Sequence, residues 1–281
     1  MHQNNKISNE IKIVFFGGRH VYDIVLQLNN NFALLLLVTT DSGMARYATS
    51  EKIPFTRVIS LDKKFVGEIK KLKPDLGVIA DFGLIIPQVL MDVFPLGIIN
   101  IHPSLLPKYR GPTPVQRAIL AGNKRTGITI IKIDDQIDHG PILYQEEYES
   151  KPNDFTDKLL IELFRKSGQI LPNLIKKYAA KDVDLVEQDD KKATYTKVFT
   201  KEDGYIDPNN PVEKRKLRRM INALNPWPGV WTKFELSNKE VVIKLLPNNQ
   251  IQVEGKKPMS YKDFKNGYPN GEEFLRKLNI I

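Results

Sequence analysis

The feature that most constrains the fold is a series of short, almost purely apolar runs early in the chain. They occupy residues 11–16, 33–39, 76–80 and 97–101. Each run is too short to cross a membrane. None alternates apolar and polar residues as a strand with one solvent-exposed face does, and such continuous apolar runs are typical of parallel strands covered on both faces. Helical patterns such as residues 63–72 separate the runs. This order predicts an α/β fold built on a Rossmann-like, doubly wound and mostly parallel sheet.

The rest of the chain predicts a second, smaller domain. A long amphipathic helix from Asp154 to about Tyr178 is followed by a polar stretch, and residues 231–236, 240–246 and 250–253 then alternate with period two. We therefore expect a small C-terminal β-barrel-like domain of the OB type, in which the barrel is either complete or incomplete. The predicted boundaries are a catalytic domain at residues 1–182, a linker at 183–205 and the C-terminal domain at 206–281.

Charge and cysteine content limit the classes of function. The 281 residues carry a formal net charge of +9, which favours a polyanionic partner, although many basic proteins bind no nucleic acid. The densest cationic run, from Lys214 to Arg219, is either a binding surface or a solvated helix face. The absence of cysteine excludes disulfides, zinc fingers and thiol nucleophiles and fits a reducing compartment.

The amino-terminal residues are polar and charged, with no apolar segment of the kind found in secretory signals. The longest apolar run is of strand length rather than membrane length. We therefore expect a cytoplasmic protein without a membrane partner, and we expect it to be a monomer.

Two polar side chains end the fourth apolar run. Asn100 and His102 lie two residues apart, so on a strand they project from the same face at its carboxyl end. Ligands bind at that end of the strands in open α/β sheets. Polar groups there, followed by a Pro-rich turn, are suited to hold a reacting carbonyl and its developing oxyanion. The alternative is a strand-terminating turn with a surface histidine and an asparagine cap.

A second polar segment follows some thirty-five residues later. The strand pattern of residues 128–133 leads into a loop with Asp134, Asp135, Asp138 and His139, and a new strand begins at Pro141. Such a loop is commonly a solvated turn. The spacing does not fit an EF-hand, and no compact set of His, Cys or Glu accompanies it, so we predict no metal site.

Taken together, these segments resemble the folate-dependent formyltransferases. The similarity rests on Asn100-x-His102-x-Ser104-Leu-Leu-Pro107 and on Asp138-x-Gly140. It implies transfer of a formyl group from 10-formyltetrahydrofolate to a primary amine, with Asn100, His102 and Asp138 as the catalytic trio. Asn100 and protonated His102 would donate to the carbonyl oxygen as it becomes negative, and Asp138 would order proton loss from the amine.

The resemblance also implies a folate site. It lies in the loop after residues 76–80, where the family binds the pterin largely through backbone groups; the alternative is a buried loop that packs against the next helix. The Leu106–Pro107 bond matches the family's cis peptide. The implied folate-contacting residues are Phe82, Gly83, Leu84, Ile86, Pro87, Ser104, Leu105 and Ile137.

The similarity of two longer segments indicates the amine acceptor. Residues 109–117 and 225–232 are similar to the methionyl-tRNA formyltransferase branch of the family, in which the acceptor is initiator methionyl-tRNA. Arg110 and Gly111 would shape the turn toward this second substrate. The implied acceptor-contacting residues are Arg110, Gly111, Arg46, Lys197, Lys201, Arg215, Arg218 and Arg219.

Two departures favour other acceptors. After Asp41 the tRNA-formylating members carry a long basic loop, whereas this chain has a short segment whose cation is Arg46. The first strand leads into Gly17-Gly18-Arg19 rather than the family's Gly-Thr-Pro-x-Phe. An amino-sugar nucleotide is therefore the alternative acceptor, and glycinamide ribonucleotide is a further one.

Overall fold

The computed structural model describes residues 11–236 and 239–281. The described chain divides into two compact units that do not follow one another in sequence. Unit 1 runs up to Pro112 and resumes over Arg125–Glu149 and Leu160–Tyr195, and unit 2 comprises Thr113–Lys124, Ser150–Leu159 and Thr196–Ile281. The prediction placed residues 1–182 in one catalytic domain, a linker at 183–205 and a second domain from 206, whereas Thr113–Lys124 and Ser150–Leu159 group with unit 2.

Unit 1 is built on a seven-stranded sheet with the order β3-β2-β1-β4-β5-β6-β7. The strands β1 to β5 pair in parallel, and β6 is antiparallel to its two neighbours, β5 and β7. The predicted doubly wound, mostly parallel sheet is confirmed. The strands are β1 (Lys12–Gly17), β2 (Ala33–Thr39), β3 (Phe55–Arg57), β4 (Leu76–Ala80), β5 (Ile98–His102), β6 (Arg125–Lys132) and β7 (Ile142–Glu149).

The helices begin where the sequence supplies caps. Asp41 accepts a hydrogen bond from Met44 N, and Asp62 accepts one from Phe65 N, which satisfies backbone donors that the first turn leaves open. The helices in the first part of the chain are α1 (Tyr22–Asn31), α2 (Ser42–Ser50), α3 (Lys63–Leu72), α4 (Gln88–Met91), α5 (Pro114–Ala121) and α6 (Thr156–Ala179). No helix in the described ranges is both long enough and apolar enough to pass through a bilayer.

Unit 2 contains a four-stranded antiparallel sheet with the order β11-β10-β9-β8. The sheet packs around Phe234, Phe264 and Phe274, whose rings lie 4.6 to 5.9 Å apart. β8 and β11 form the two edges of the described sheet, which agrees with an incomplete form of the expected barrel-like domain. The elements are α7 (Lys214–Leu224), β8 (Val230–Leu236), β9 (Lys239–Leu246), β10 (Gln250–Val253), β11 (Met259–Ser260), α8 (Tyr261–Gly267) and α9 (Gly271–Lys277).

The segment predicted as a linker is bonded to its neighbours. Val186 pairs with Ile142 of β7, and Tyr195 pairs with Arg110, both within unit 1. The chain enters unit 2 at Thr196, where the Thr196 hydroxyl accepts a hydrogen bond from Thr113 N. Residues 183–195 therefore belong to unit 1.

Candidate active site

Asn100, His102 and Asp138 meet in unit 1. The first two lie on β5, and Asp138 belongs to the loop between β6 and β7. Asn100 Nδ2 donates a hydrogen bond to Asp138 Oδ1 at 3.0 Å, and His102 Nδ1 lies 3.4 Å from Asp138 Oδ2. The strand periodicity that places Asn100 and His102 on one face thus brings both side chains to a single carboxylate.

The imidazole of His102 is held from both sides. The residue is 4% exposed, and Nε2 lies 3.0 Å from the carbonyl oxygen of Tyr109. A carbonyl oxygen can only accept, so Nε2 carries the hydrogen of this bond. Nδ1 is therefore the ring nitrogen that faces Asp138.

Asp138 adopts a conformation that few residues take. Its backbone is left-handed, with φ +49°. Nearby, a Cβ on Gly140 would lie 1.8 Å from the carbonyl oxygen of Lys132, so only glycine allows the loop to lie this close to the end of β6. Gly111 N donates to Asp138 Oδ2 at 2.7 Å. Both carboxylate oxygens thus accept a hydrogen bond, and the side chain is 13% exposed.

The turn after β5 rests on a buried polar cluster. Ser104 is fully buried and donates from Oγ to the carbonyl oxygen of Lys108 at 2.7 Å, so its side chain shapes the turn. Thr129 donates to the carbonyl oxygen of Ser104 at 2.6 Å and accepts from Leu106 N at 3.1 Å. The predicted cis bond between Leu106 and Pro107 is present. Half-buried Leu105 packs over Gly127 of β6.

Arg110 is buried as well. It is 1% exposed, and its guanidinium donates to Gln188 Oε1 at 2.9 and 3.1 Å and to Asp190 Oδ1 at 2.7 Å. The guanidinium therefore connects the turn after β5 to the segment that carries Gln188 and Asp190. The guanidinium of Arg110 holds the pKa of Asp190 below its ordinary value. The adjacent Gly111 faces the site through its N–H.

The predicted folate loop after β4 has two sides. Phe82 and Ile86 pack against the core of unit 1, and the Phe82 ring lies 5.6 Å from that of Phe16. Gly83 is exposed, while Leu84 and Pro87 are half-buried. Exposed apolar side chains occur in the same loop and in the acidic loop: Ile85 is 82% exposed and Ile137 is 61% exposed. The core therefore anchors this loop while leaving apolar surface on it.

His139 points away from the trio. Its Nδ1 lies 2.6 Å from Asp134 Oδ2, and its Nε2 lies 3.4 Å from Asp190 Oδ2. The hydrogen bond to Asp134 raises the pKa of His139 above its ordinary value, although burial opposes the shift. In the described ranges no group of three or more His, Cys, Asp or Glu side chains could hold a metal ion.

The predicted acceptor-binding cations fall in both units. Arg46 is exposed on α2 in unit 1. In unit 2, Lys197 is exposed, and the Lys201 ammonium lies 5.1 Å from the centre of the Trp231 ring. Arg215, Arg218 and Arg219 line one cavity of about 350 Å³.

Sequence reasoning missed several residues of these two sites. Lys124 and Lys151 line the same cavity as the three arginines, although each is distant from α7 in sequence. Gln188 hydrogen-bonds the loop that carries Asp138. It stands in a polar stretch typical of a linker, so no sequence pattern marked it. Thr129 is fully buried within a β-strand pattern, where a threonine is ordinary.

The chain matches the family model described as formyl transferase over residues 12–175. It is 44% identical to a methionyl-tRNA formyltransferase of Chloroflexus aggregans over 171 residues, which cover 61% of this chain and 55% of that protein. With a methionyl-tRNA formyltransferase of Treponema denticola it shares 34% identity over 256 residues, covering 78% of this chain and 79% of that protein. The chain thus spans about half the length of the Chloroflexus relative.

Solved structures share the fold. A sugar N-formyltransferase from Shewanella gives a TM-score of 0.67 at 19% identity, with 85% of this chain and 98% of that chain covered. The methionyl-tRNA formyltransferase from Clostridium thermocellum gives a TM-score of 0.59, also at 19% identity, with 89% and 99% covered. At these identities the likeness concerns the fold alone.

Proposed function

This chain belongs to the formyl transferase family, and we propose that it transfers a formyl group from 10-formyltetrahydrofolate to the amino group of initiator methionyl-tRNA. The observation that carries the proposal is that Asn100 and His102 both contact the carboxylate of Asp138. Asn100 Nδ2 lies 3.0 Å from Oδ1, and His102 Nδ1 lies 3.4 Å from Oδ2. Substrates place an electrophilic carbonyl and an amine beside these groups, and the protein supplies hydrogen-bond donors and a proton acceptor.

The residues present fit a flat, partly apolar co-substrate. The loop after β4 combines anchored Phe82 and Ile86 with exposed Ile85, and Ile137 exposes a second apolar side chain immediately before Asp138. Binding sites for such molecules are mostly apolar, with a few oriented polar groups. These loops would hold the ring system, and the bound molecule would supply the formyl group.

Asn100 is the donor best placed for the developing oxyanion. A primary amide has two N–H donors, and one of them is directed at Asp138 Oδ1. The second can donate to the formyl oxygen as the attack of the amine makes that oxygen negative. His102 uses Nε2 on Tyr109 and directs Nδ1 at Asp138, so in this conformation it acts on the carboxylate.

Asp138 accepts the proton that the attacking nitrogen must lose. The nitrogen forms its bond to the formyl carbon, the bond from that carbon to the folate nitrogen breaks, and the proton passes to the leaving nitrogen. The products are an N-formyl amine and tetrahydrofolate. Hydrogen bonds from Asn100 and Gly111 fix the carboxylate, and His102 Nδ1 can share the proton.

The choice of tRNA is supported by the names of the Chloroflexus and Treponema relatives and by charge. In unit 2, Lys124, Lys151, Arg215, Arg218 and Arg219 line one cavity. A cationic surface of this kind suits the phosphates of a nucleic acid.

A specific observation favours a second candidate, an amino-sugar nucleotide. Helix α2 begins at Ser42, immediately after its cap Asp41, so the chain has no long basic loop between β2 and α2. Sugar N-formyltransferases are also among the solved structures with this fold. A short connection suits a small acceptor.

The test measures tetrahydrofolate release with three acceptors: methionyl-initiator tRNA, an amino-sugar nucleotide and glycinamide ribonucleotide. We expect turnover with the tRNA and little with the small acceptors. Turnover with the sugar nucleotide alone would replace the acceptor while retaining the reaction. If none of the three acceptors were formylated, the proposed reaction itself would be contradicted.

A further inference from the structure

Gln188 joins two parts of unit 1 that are far apart in sequence. Its Nε2 donates to the carbonyl oxygen of Asp138 at 2.9 Å and to that of Gly140 at 2.8 Å. Its Oε1 accepts two hydrogen bonds from the buried guanidinium of Arg110. A flipped amide would place its oxygen against two carbonyl oxygens and its N–H groups against a cation, so these partners allow one orientation.

These bonds close a ring around the catalytic carboxylate. Arg110 is bonded to Gln188, Gln188 holds the backbone of Asp138, and Asp138 Oδ2 accepts from the N–H of Gly111. Gly111 directly follows Arg110. One side chain therefore fixes both the left-handed backbone of Asp138 and the chain segment that supplies a donor to its carboxylate.

The rest of the surrounding segment supports the ring. Arg110 N donates to the carbonyl oxygen of Thr194 at 2.8 Å, and Tyr109 N donates to Thr194 Oγ1, also at 2.8 Å. Val186 exchanges two backbone hydrogen bonds with Ile142 of β7. Gln188 is thus held on a segment that is itself paired on both sides.

We propose that Gln188, together with Arg110, is a positioning residue that sets the conformation of Asp138 and thereby the rate of formyl transfer. This inference rests on the proposed function. Neither residue need touch a substrate. Displacement of a catalytic group by about 1 Å can cost about 100-fold in rate.

The sharpest variant is Gln188→Glu, which keeps the shape and the acceptor for Arg110 but replaces the donor by an oxygen facing two carbonyls. We expect kcat to fall by about 10- to 100-fold, with both KM values within about twofold of wild type. Gln188→Met adds no charge but removes both the donor to the Asp138 loop and the acceptor for Arg110, so its effect on kcat should be at least as large. Glu187→Gln is the matched control, because its side chain is exposed and adjacent, and its turnover should not change.

Hydrogen exchange provides a readout that does not depend on activity. The Gly111 amide donates to Asp138 in the intact ring, so its exchange should accelerate in Gln188→Glu, while the Ile99 amide in β5 should keep its protection. Unchanged kcat together with unchanged Gly111 exchange would overturn the proposal. So would a loss of protection throughout unit 1 in both variants, which would make Gln188 a general fold residue.

The two proposals fail in different ways. If the wild-type protein formylates no amine, the proposed function is wrong, and Gly111 exchange in the variants still decides whether Gln188 controls the Asp138 loop. If the wild type is active and Gln188→Glu raises KM while sparing kcat, the reaction stands and the positioning role is wrong.

Discussion

The loops around Asp138 in unit 1 and the cavity beside α7 in unit 2 are both rich in charge but are built differently. Around Asp138 the cationic and imidazole groups of Arg110 and His102 are buried, and each has partners at hydrogen-bond distance. The cavity beside α7 gathers five cations, and its carboxylate, Asp154, is already bonded to Lys151 N and paired with Lys158.

This difference indicates that charged groups have different roles in the two regions. Buried, directional bonds fix atoms in place, so the change of a single atom should alter the chemical step. Exposed cations act through long-range attraction that salt screens, and each contributes modestly. Substitutions of the buried, hydrogen-bonded groups around Asp138 should therefore lower kcat, whereas substitutions at the cavity should change acceptor binding.

Asp138→Asn should give the largest effect. The amide keeps the shape of the carboxylate but loses its charge and its capacity to accept a proton. Turnover should fall by about 10² to 10⁴-fold, measured as kcat with saturating substrates, while the protein stays folded. Asn keeps only one of the two oxygens that accept from Asn100 and Gly111, so a small loss of thermal stability is expected. Asp135→Asn is the matched control, since that side chain is exposed in the same loop, and it should remain active. Near wild-type turnover of Asp138→Asn would remove this residue from the mechanism.

Asn100→Ala should rank second. Loss of one donor to a developing oxyanion typically costs about 2.7 to 4 kcal/mol, which is about 10² to 10³-fold in kcat. Affinity for the folate, measured by equilibrium binding, should change little because the donated bond matters mainly in the transition state. A variant with weakened folate binding and intact turnover at saturation would show that Asn100 is a binding residue.

The role of the cavity in unit 2 is tested by a triple variant, Lys124→Ala, Lys151→Ala and Arg215→Ala. This variant retains Arg219, which lies against the end of α5 at Gly122. The KM for tRNA should rise, and the log–log salt dependence should flatten by about 0.9 for each lost phosphate contact, with the folate KM unchanged.

The control for this triple variant removes the same charge elsewhere in unit 2. Lys239→Ala, Lys256→Ala and Lys257→Ala replace exposed lysines outside the cavity lining. If both triple variants flatten the salt dependence equally, the attraction depends on net charge and the cavity has no special part in it. If neither does, the acceptor is not held by phosphate contacts here.

The sequence predicted the features that depend on local pattern. Buried apolar runs located β2 and β4 at their observed bounds, and a two-residue spacing placed Asn100 and His102 on one face. Features that depend on distant partners were missed. Arg110 is buried because Gln188, 78 residues away, receives its guanidinium, and no local pattern shows this.

His139→Gln should give the smallest effect, and that effect should be on stability rather than on turnover. Because its hydrogen bond to Asp134 raises the pKa of His139 in the folded state, the stabilisation is complete below its unfolded value of about 6.5. It is lost as pH rises through the folded value. Asp190, the other carboxylate facing this ring, has a lowered pKa and stays charged across that window.

Urea unfolding of wild type and His139→Gln at about pH 5.5 and about pH 8.5 measures this contribution. The difference in unfolding free energy should be larger at the lower pH and below about 1 kcal/mol, as for other partly exposed ion pairs. Turnover should not change, because the ring points away from Asp138. A difference that grows with pH would show that the neutral ring is the stabilising form. A large loss of kcat would place His139 with the buried, directional groups of unit 1.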